Sequence, residues 1–137
     1  MLLDTCVISE MAKPTPNAHV LAWMAAHHAQ ARLSVVVLGE IACGIALLPT
    51  GQRRRHLETW LSDLEQRFAD RILPIDPPVA HAWATLHAAR QQAGRPLAMA
   101  DGLIAATAQV HALTVATRNR VDFSGLVGVQ VADPWAG

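Results

Sequence analysis

The 137-residue sequence contains no tyrosine, few aromatic residues of any kind (4%), one lysine and two cysteines. Cys6 and Cys43 match no zinc-binding spacing, so we predict two small buried thiols in a protein of a reducing compartment. Trp60 and Trp83 stand at helical spacings typical of a core. This placement does not favour an exposed aromatic platform on which nucleic-acid bases could stack.

The single lysine, Lys13, lies in a turn-like stretch and argues against several enzyme classes. Haloacid dehalogenase-type phosphatases and response-regulator receivers need a later lysine beside an early aspartate. The phosphatase type also needs a second aspartate two places after the first, where this chain has Cys6. There is also no GxGxxG or P-loop glycine pattern. A hydrolase of small phosphoesters stays open as an α/β alternative, although the missing lysine argues against it.

Long uninterrupted apolar runs are also lacking. The chain is 52% hydrophobic, but its longest apolar stretches are interrupted by Glu40 or Asp101 before about 18 residues, so no transmembrane helix is predicted. No signal peptide is recognised, and we expect a cytoplasmic protein that does not associate with membranes. A net charge of zero gives no general attraction to nucleic acid. The apolar excess suggests that a partner covers part of the surface.

Short apolar strands alternate with helices along the chain. Strands are predicted at MLLD, just before Ser34, and at RILPID, LTVAT and VGVQVAD, whereas RNRVDF is predicted to be a loop. Asn17 and Ser34 are expected to cap helices, and Gly94 to end one. The alternation predicts one domain over residues 1–137, an α/β fold with a mostly parallel sheet and helices on both faces.

Four acidic residues differ from the others in their sequence surroundings: Asp4, Glu40, Asp101 and Asp122. Asp4 and Asp122 follow predicted strands, and Glu40 and Asp101 interrupt uncharged stretches of helix. Any one of them alone is more often an exposed edge residue or a helix cap, a role that Asp101 could fill. Ligands of parallel sheets bind at the carboxyl ends of the strands, where Asp4 and the loop after LTVAT are expected.

If these carboxylates converge, they cannot all ionise without a counter-charge, because like charges raise one another's pKa. A hard divalent cation such as Mg²⁺ or Mn²⁺ prefers oxygen ligands and would supply that charge. An all-carboxylate site with open positions points to phosphoryl chemistry, in which one or two ions activate water as the nucleophile.

Five arginines are candidate contacts to the phosphate groups of a substrate. Arg53, Arg54 and Arg55 form the densest basic run at the start of a predicted helix, and Arg118 and Arg120 flank the proposed acidic site. The alternative for each of them is an ordinary solvated surface charge.

The segments MLLDTCVISE, LGEIACGI, MADGLIAATA and VATRNRVDF, in this order and spacing, resemble PIN-domain ribonucleases of the VapC/FitB toxin type. The resemblance extends to DPW near the C-terminus. It implies a three-layer α/β/α sandwich and an acidic Mg²⁺ or Mn²⁺ site that cleaves RNA endonucleolytically. It also implies a homodimer, inhibited by a small cognate antitoxin whose C-terminal segment covers the site.

The same resemblance assigns roles to individual residues. It implies four metal-binding, catalytic acids, which are Asp4, Glu40, Asp101 and Asp122. It implies three supporting polar residues, which are Thr5, Thr117 and Asn119. The chain departs from the family at Cys6, where an asparagine is usual, and a thiol makes weaker hydrogen bonds than an amide. This departure keeps open a second interpretation, a catalytically weak or inactive PIN fold that binds RNA or a partner.

Overall fold

Parallel strand pairing organises the computed structural model, which describes residues 1–136. Its strands are β1 (Leu2–Leu3), β2 (Leu33–Ser34), β3 (Ile72–Leu73), β4 (Thr114–Ala116) and β5 (Gln130–Ala132). β4 lies between β1 and β5, and β2 pairs with β3, all in parallel. A parallel bridge between Leu2 and Arg32 joins the two groups, giving the spatial order β3-β2-β1-β4-β5.

Helices connect and cover these strands. They are α1 (Thr5–Met11), α2 (Ala18–His27), α3 (Val35–Ala46), α4 (Gln52–Arg67), α5 (Pro77–Gln92), α6 (Met99–His111) and α7 (Arg120–Phe123). The predicted caps are confirmed, since the side chain of Asn17 accepts from the backbone of α2 and that of Ser34 from the backbone of α3. Gly94 follows α5 with φ +72°, a left-handed conformation that favours glycine.

The buried strands lie at the centre of the core. Both residues of β1 are 0% exposed, and α6 is the most deeply buried helix, with Ile104 and three alanines among its buried residues. The α/β/α class with a parallel sheet is therefore confirmed. Trp60 and Trp83 pack against this core as predicted.

The contact between α5 and α6 depends on a glycine. A Cβ atom on Gly102 would lie 2.9 Å from Cδ1 of Trp83, closer than side chains tolerate. Gly102 therefore lets α6 approach α5 closely, immediately after Asp101.

Two predictions about local structure are wrong. RNRVDF is not entirely a loop, because Arg120–Phe123 forms the short helix α7, held by the fully buried ring of Phe123. The two thiols are not both buried: Cys6 is half-buried, whereas Cys43 is exposed on α3. No helix within residues 1–136 combines the length and the hydrophobicity needed to cross a lipid bilayer.

Candidate active site

Asp4 provides the buried carboxylate of the site and directly follows the last residue of β1. Its backbone N–H donates to the carbonyl of Ala116 at 3.0 Å, and its side chain is only 5% exposed. Asp4 is also the N-cap of α1, because its Oδ1 accepts from the N–H of Thr5 at 2.8 Å. A helix N-terminus favours a negative charge, so the fold compensates part of the cost of burying this carboxylate.

Thr117 supplies the second donor to Asp4 from the neighbouring strand. It follows β4 directly, and its hydroxyl donates to Oδ2 of Asp4 at 2.8 Å. The same hydroxyl oxygen accepts from the N–H of Asn119 at 2.9 Å. One threonine thus connects the end of β1 to the loop that leads into α7, as expected where parallel strands end at one edge.

Thr5 holds Glu40 beside this edge. Its hydroxyl donates to Oε1 of Glu40 at 2.6 Å, which connects the first residue of α1 to the middle of α3. Glu40 is exposed, so the hydrogen bond restricts a carboxylate that solvent would otherwise leave free to turn.

Asn119 holds Asp122 in a similar way. Its side-chain amide donates to Oδ2 of Asp122 at 2.6 Å. The Asp122 side chain is half-buried, on the short helix α7. Each of the three predicted supporting residues therefore contacts a predicted acid: Thr5 contacts Glu40, Thr117 contacts Asp4, and Asn119 contacts Asp122.

Asp101 completes the group from the first turn of α6. It does not cap this helix, because Ala98 occupies the N-cap position. Burial first, and then the nearby charges of Asp4, Asp122 and Glu40, together raise the pKa of Asp101 from 3.8 to about 6. The structure thus brings all four predicted acids within electrostatic reach of one another.

The donor set fits a hard divalent cation. All four side chains offer oxygen atoms, and their mutual repulsion is the kind that a cation relieves. Within residues 1–136, no three histidine, cysteine or acidic side chains converge tightly enough to enclose an ion. An ion held here by few protein oxygens would keep several waters and take further oxygens from a substrate, as Mg²⁺ commonly does.

Cys6 lies at the back of this group, where the family resemblance implies an asparagine. Its sulfur is 3.4 Å from Oγ1 of Thr117 and 3.7 Å from Oδ2 of Asp4. Burial is the main reason that the pKa of the Cys6 thiol is raised, so the neutral thiol is favoured. The thiol adds one weak contact to the Asp4 carboxylate, which already has two stronger donors, and one weak contact to the hydroxyl of Thr117.

A groove of about 810 Å³ opens beside Thr5 and Glu40, bordered by α1, α3 and α4. Its apolar lining residues include Ile41, Ile45, Leu48, Leu57 and Trp60, and its basic ones are Lys13, Arg53 and His56. Sequence reasoning did not find this groove, because residues far apart in the chain form it. The only signal for it was the apolar excess of the composition.

The candidate RNA-binding arginines differ in their surroundings. Arg54 is engaged with α4 and the preceding loop, since it donates to Glu58 at 3.0 Å and to the carbonyl of Leu48 at 3.3 Å. Arg53 lines the groove, and Arg55 and Arg120 are exposed. The guanidinium of Arg118 lies 4.2 Å above the ring of Trp135, which orients this exposed charge through a cation–π contact.

Comparison with known proteins identifies the family. The family model for the PIN domain matches residues 1–126. Toxin FitB of Neisseria gonorrhoeae is 42% identical over 98% of both chains, and a VapC ribonuclease of Sinorhizobium fredii is 36% identical over 98% of this chain and 97% of its own. The crystal structure of FitAcB from Neisseria gonorrhoeae superimposes with a TM-score of 0.89, at 42% identity over 98% of this chain and 97% of that one. The chain belongs to the PIN-domain family.

Proposed function

We propose that this protein is a metal-dependent endoribonuclease and the toxin of a toxin–antitoxin pair, with residues 1–137 forming one PIN domain. The observation that carries the proposal is geometric: hydrogen bonds of 2.6 to 2.8 Å hold three of the four acids at the end of the parallel strands. The raised pKa of Asp101, caused in part by the charges of the other three acids, supports their grouping. The proposal is supported by similar proteins that are named as a toxin and as a ribonuclease.

In this proposal, Asp4, Glu40, Asp101 and Asp122 hold Mg²⁺ or Mn²⁺. The bound ion would supply Lewis-acid stabilisation of the phosphodiester and activation of the attacking water. The protein's own contribution is orientation: donors at 2.6 to 2.8 Å fix three of the carboxylates before any substrate arrives. Such fixed dipoles and charges need little reorganisation during the reaction.

RNA is the proposed substrate, and the basic residues around the site give it phosphate contacts. Arg53, Arg55, Arg118 and Arg120 are free to serve in this role because each is exposed. Arg54 is a weaker candidate than its neighbours, since its guanidinium already has two partners. We propose that the protein acts in the cytoplasm, where cellular RNA is found.

A cognate antitoxin is the proposed protein partner. The groove beside Glu40 is lined by both apolar and basic residues, which suits an amphipathic segment of another chain that would also cover the acidic site. The proposal is supported by solved complexes of related toxins, described as FitAcB and as FitAB bound to a DNA fragment. We also propose that the toxin is a homodimer, on the basis of the family resemblance and the 52% hydrophobic composition.

The experiment is cleavage of purified total RNA by antitoxin-free protein with Mg²⁺, with Mn²⁺ and with EDTA. Asp101→Asn is the test variant. Asp63→Asn is the matched control, because Asp63 is an exposed acid on α4, outside the proposed site. We expect discrete fragments that require metal and Asp101 and are unaffected by the control.

The opposite results separate the alternatives. Equal cleavage by the Asp101→Asn variant would contradict the proposed site. Absence of cleavage by folded, metal-loaded protein, together with RNA binding, would favour a PIN fold that binds without cutting.

A further inference from the structure

Arg90 joins two segments of backbone that are far apart in the sequence. It is a half-buried residue near the end of α5. Its Nε donates to the carbonyl oxygen of Arg95 at 2.9 Å, and its Nη1 donates to the carbonyl oxygen of Asp122 at 3.2 Å. A single guanidinium group therefore holds two carbonyl groups that are 27 residues apart in sequence.

Each of these segments carries one of the proposed catalytic acids. Arg95 belongs to the connection between α5 and α6, and Asp101 lies in the first turn of α6. Asp122 lies on α7, and its own carbonyl accepts from Arg90. The hydrogen bonds of Arg90 thus link the segment before α6 to α7, and therefore link the backbones that carry Asp101 and Asp122.

The helix α7 needs such a contact because it contains only four residues. A helix of this length is not stable by itself, so tertiary contacts must determine its position. Phe123 provides one of them with a side chain that is 0% exposed. Arg90 provides a second, directional contact at the residue that carries the carboxylate.

Arginine has the properties that this position requires. Its guanidinium is planar, remains charged, and presents several N–H donors in a fixed geometry. Hydrogen bonds from a charged donor are stronger than those between neutral groups. A lysine would keep the charge, but its single ammonium group lacks this fixed planar arrangement of N–H donors.

We infer that Arg90 is a positioning residue of the nuclease site, which sets the separation of Asp122 from Asp101 through their backbones. The inference rests on the proposed function. In this role Arg90 contacts neither RNA nor metal, and its effect passes through Asp122.

The first test compares Arg90→Ala and Arg90→Lys with the wild-type protein. Partners that orient metal ligands typically change metal affinity or activity by about 10- to 100-fold when they are removed. We expect Arg90→Ala to weaken Mn²⁺ binding and to lower kcat by about tenfold or more, with KM for RNA nearly unchanged. Arg90→Lys should give an intermediate loss. Arg95→Ala is the charge control, since it removes a neighbouring positive side chain and keeps the carbonyl that Arg90 binds.

A second readout separates positioning from general destabilisation. Hydrogen exchange should become faster in residues 95–101 and 119–124 of the Arg90→Ala protein and stay unchanged in β1 and α3. Uniformly faster exchange, or an Arg95→Ala loss equal to that of Arg90→Ala, would overturn the inference. If Arg90→Ala does not fold, the same comparison with Arg90→Lys decides.

A double-mutant cycle tests whether the effect passes through Asp122. Adding Arg90→Ala to Asp122→Asn should cost little more activity and Mn²⁺ affinity than Asp122→Asn alone, and full additivity would overturn the inference. If the wild-type protein cleaves no RNA, the proposed nuclease fails, while Mn²⁺ affinity and hydrogen exchange still decide the role of Arg90.

Discussion

Replacing Asp101 with asparagine should stabilise the metal-free protein while it removes activity. The ionised form of Asp101 is disfavoured in the folded chain, first by burial and then by three neighbouring carboxylates. Asparagine keeps the shape of the side chain and carries no charge. The variant therefore removes a desolvation cost and a charge repulsion that the unfolded chain does not experience.

The size of this effect follows from the pKa of Asp101. The difference between 3.8 and about 6 corresponds to a penalty of about 3 kcal/mol on the ionised folded form. The side chain is only partly buried, so solvent screening reduces this figure, and we expect a gain of about 1 kcal/mol. In a domain of this size, that gain raises Tm by about 4 °C.

The assay is thermal or urea unfolding of both proteins in EDTA, near pH 4 and at pH 7.5. Between the unfolded pKa of 3.8 and the folded value of about 6, the folded chain binds more protons than the unfolded chain. The stability contribution of Asp101 therefore falls as pH rises through this window. The gain in unfolding free energy of Asp101→Asn over the wild-type protein should be small near pH 4 and should reach its full size above pH 7.

Added Mn²⁺ should reverse the order of stability at pH 7.5, so that the wild-type protein becomes more stable than Asp101→Asn. A ligand at free concentration L that binds only the folded state stabilises it by RT ln(1 + L/Kd), so tighter binding stabilises more, and the wild-type protein has the additional carboxylate. No gain in stability for the variant at pH 7.5 in EDTA would refute the electrostatic argument, and so would an equal gain near pH 4.

Two further pairs of variants compare strong contacts with weak ones. Thr117→Val removes a direct donor to buried Asp4 and should cost about 1 to 3 kcal/mol in urea unfolding, whereas Cys6→Ala should cost less, since thiols are weak donors. Equal costs would contradict this ranking. RNA-binding titrations with the Asp101→Asn protein measure how the logarithm of the binding constant falls with the logarithm of the salt concentration. Adding Arg53→Ala should make this slope shallower by about 0.7. Arg54→Ala should leave that slope unchanged, and the reverse result would reassign the phosphate contact.

Much of the fold could be predicted because its signals are local. Asn17 and Ser34 are recognisable caps because their side chains accept from N–H groups only two residues away. The grouping of Asp4 with Thr117 could be anticipated, since parallel strands end at the same edge of a sheet.

The missed features depend on contacts between distant residues. The helix α7 has too few residues for a periodic pattern, and its stability comes from the burial of Phe123 and the hydrogen bond from Arg90. Cys43 is exposed because α3 turns that face toward solvent, which composition alone does not reveal. The groove beside Glu40 exists only after α1, α3 and α4 have packed.

The central claim is that Asp4, Glu40, Asp101 and Asp122 form one metal centre. Anomalous scattering from crystals of the wild-type protein soaked in Mn²⁺ tests it most directly, because the peak locates the ion itself. One peak is expected among the carboxylate oxygens of all four acids, and it should disappear in the Asp101→Asn crystal grown and soaked in the same way. A peak elsewhere, or no peak at millimolar Mn²⁺ in a crystal with this edge open to solvent, would contradict it.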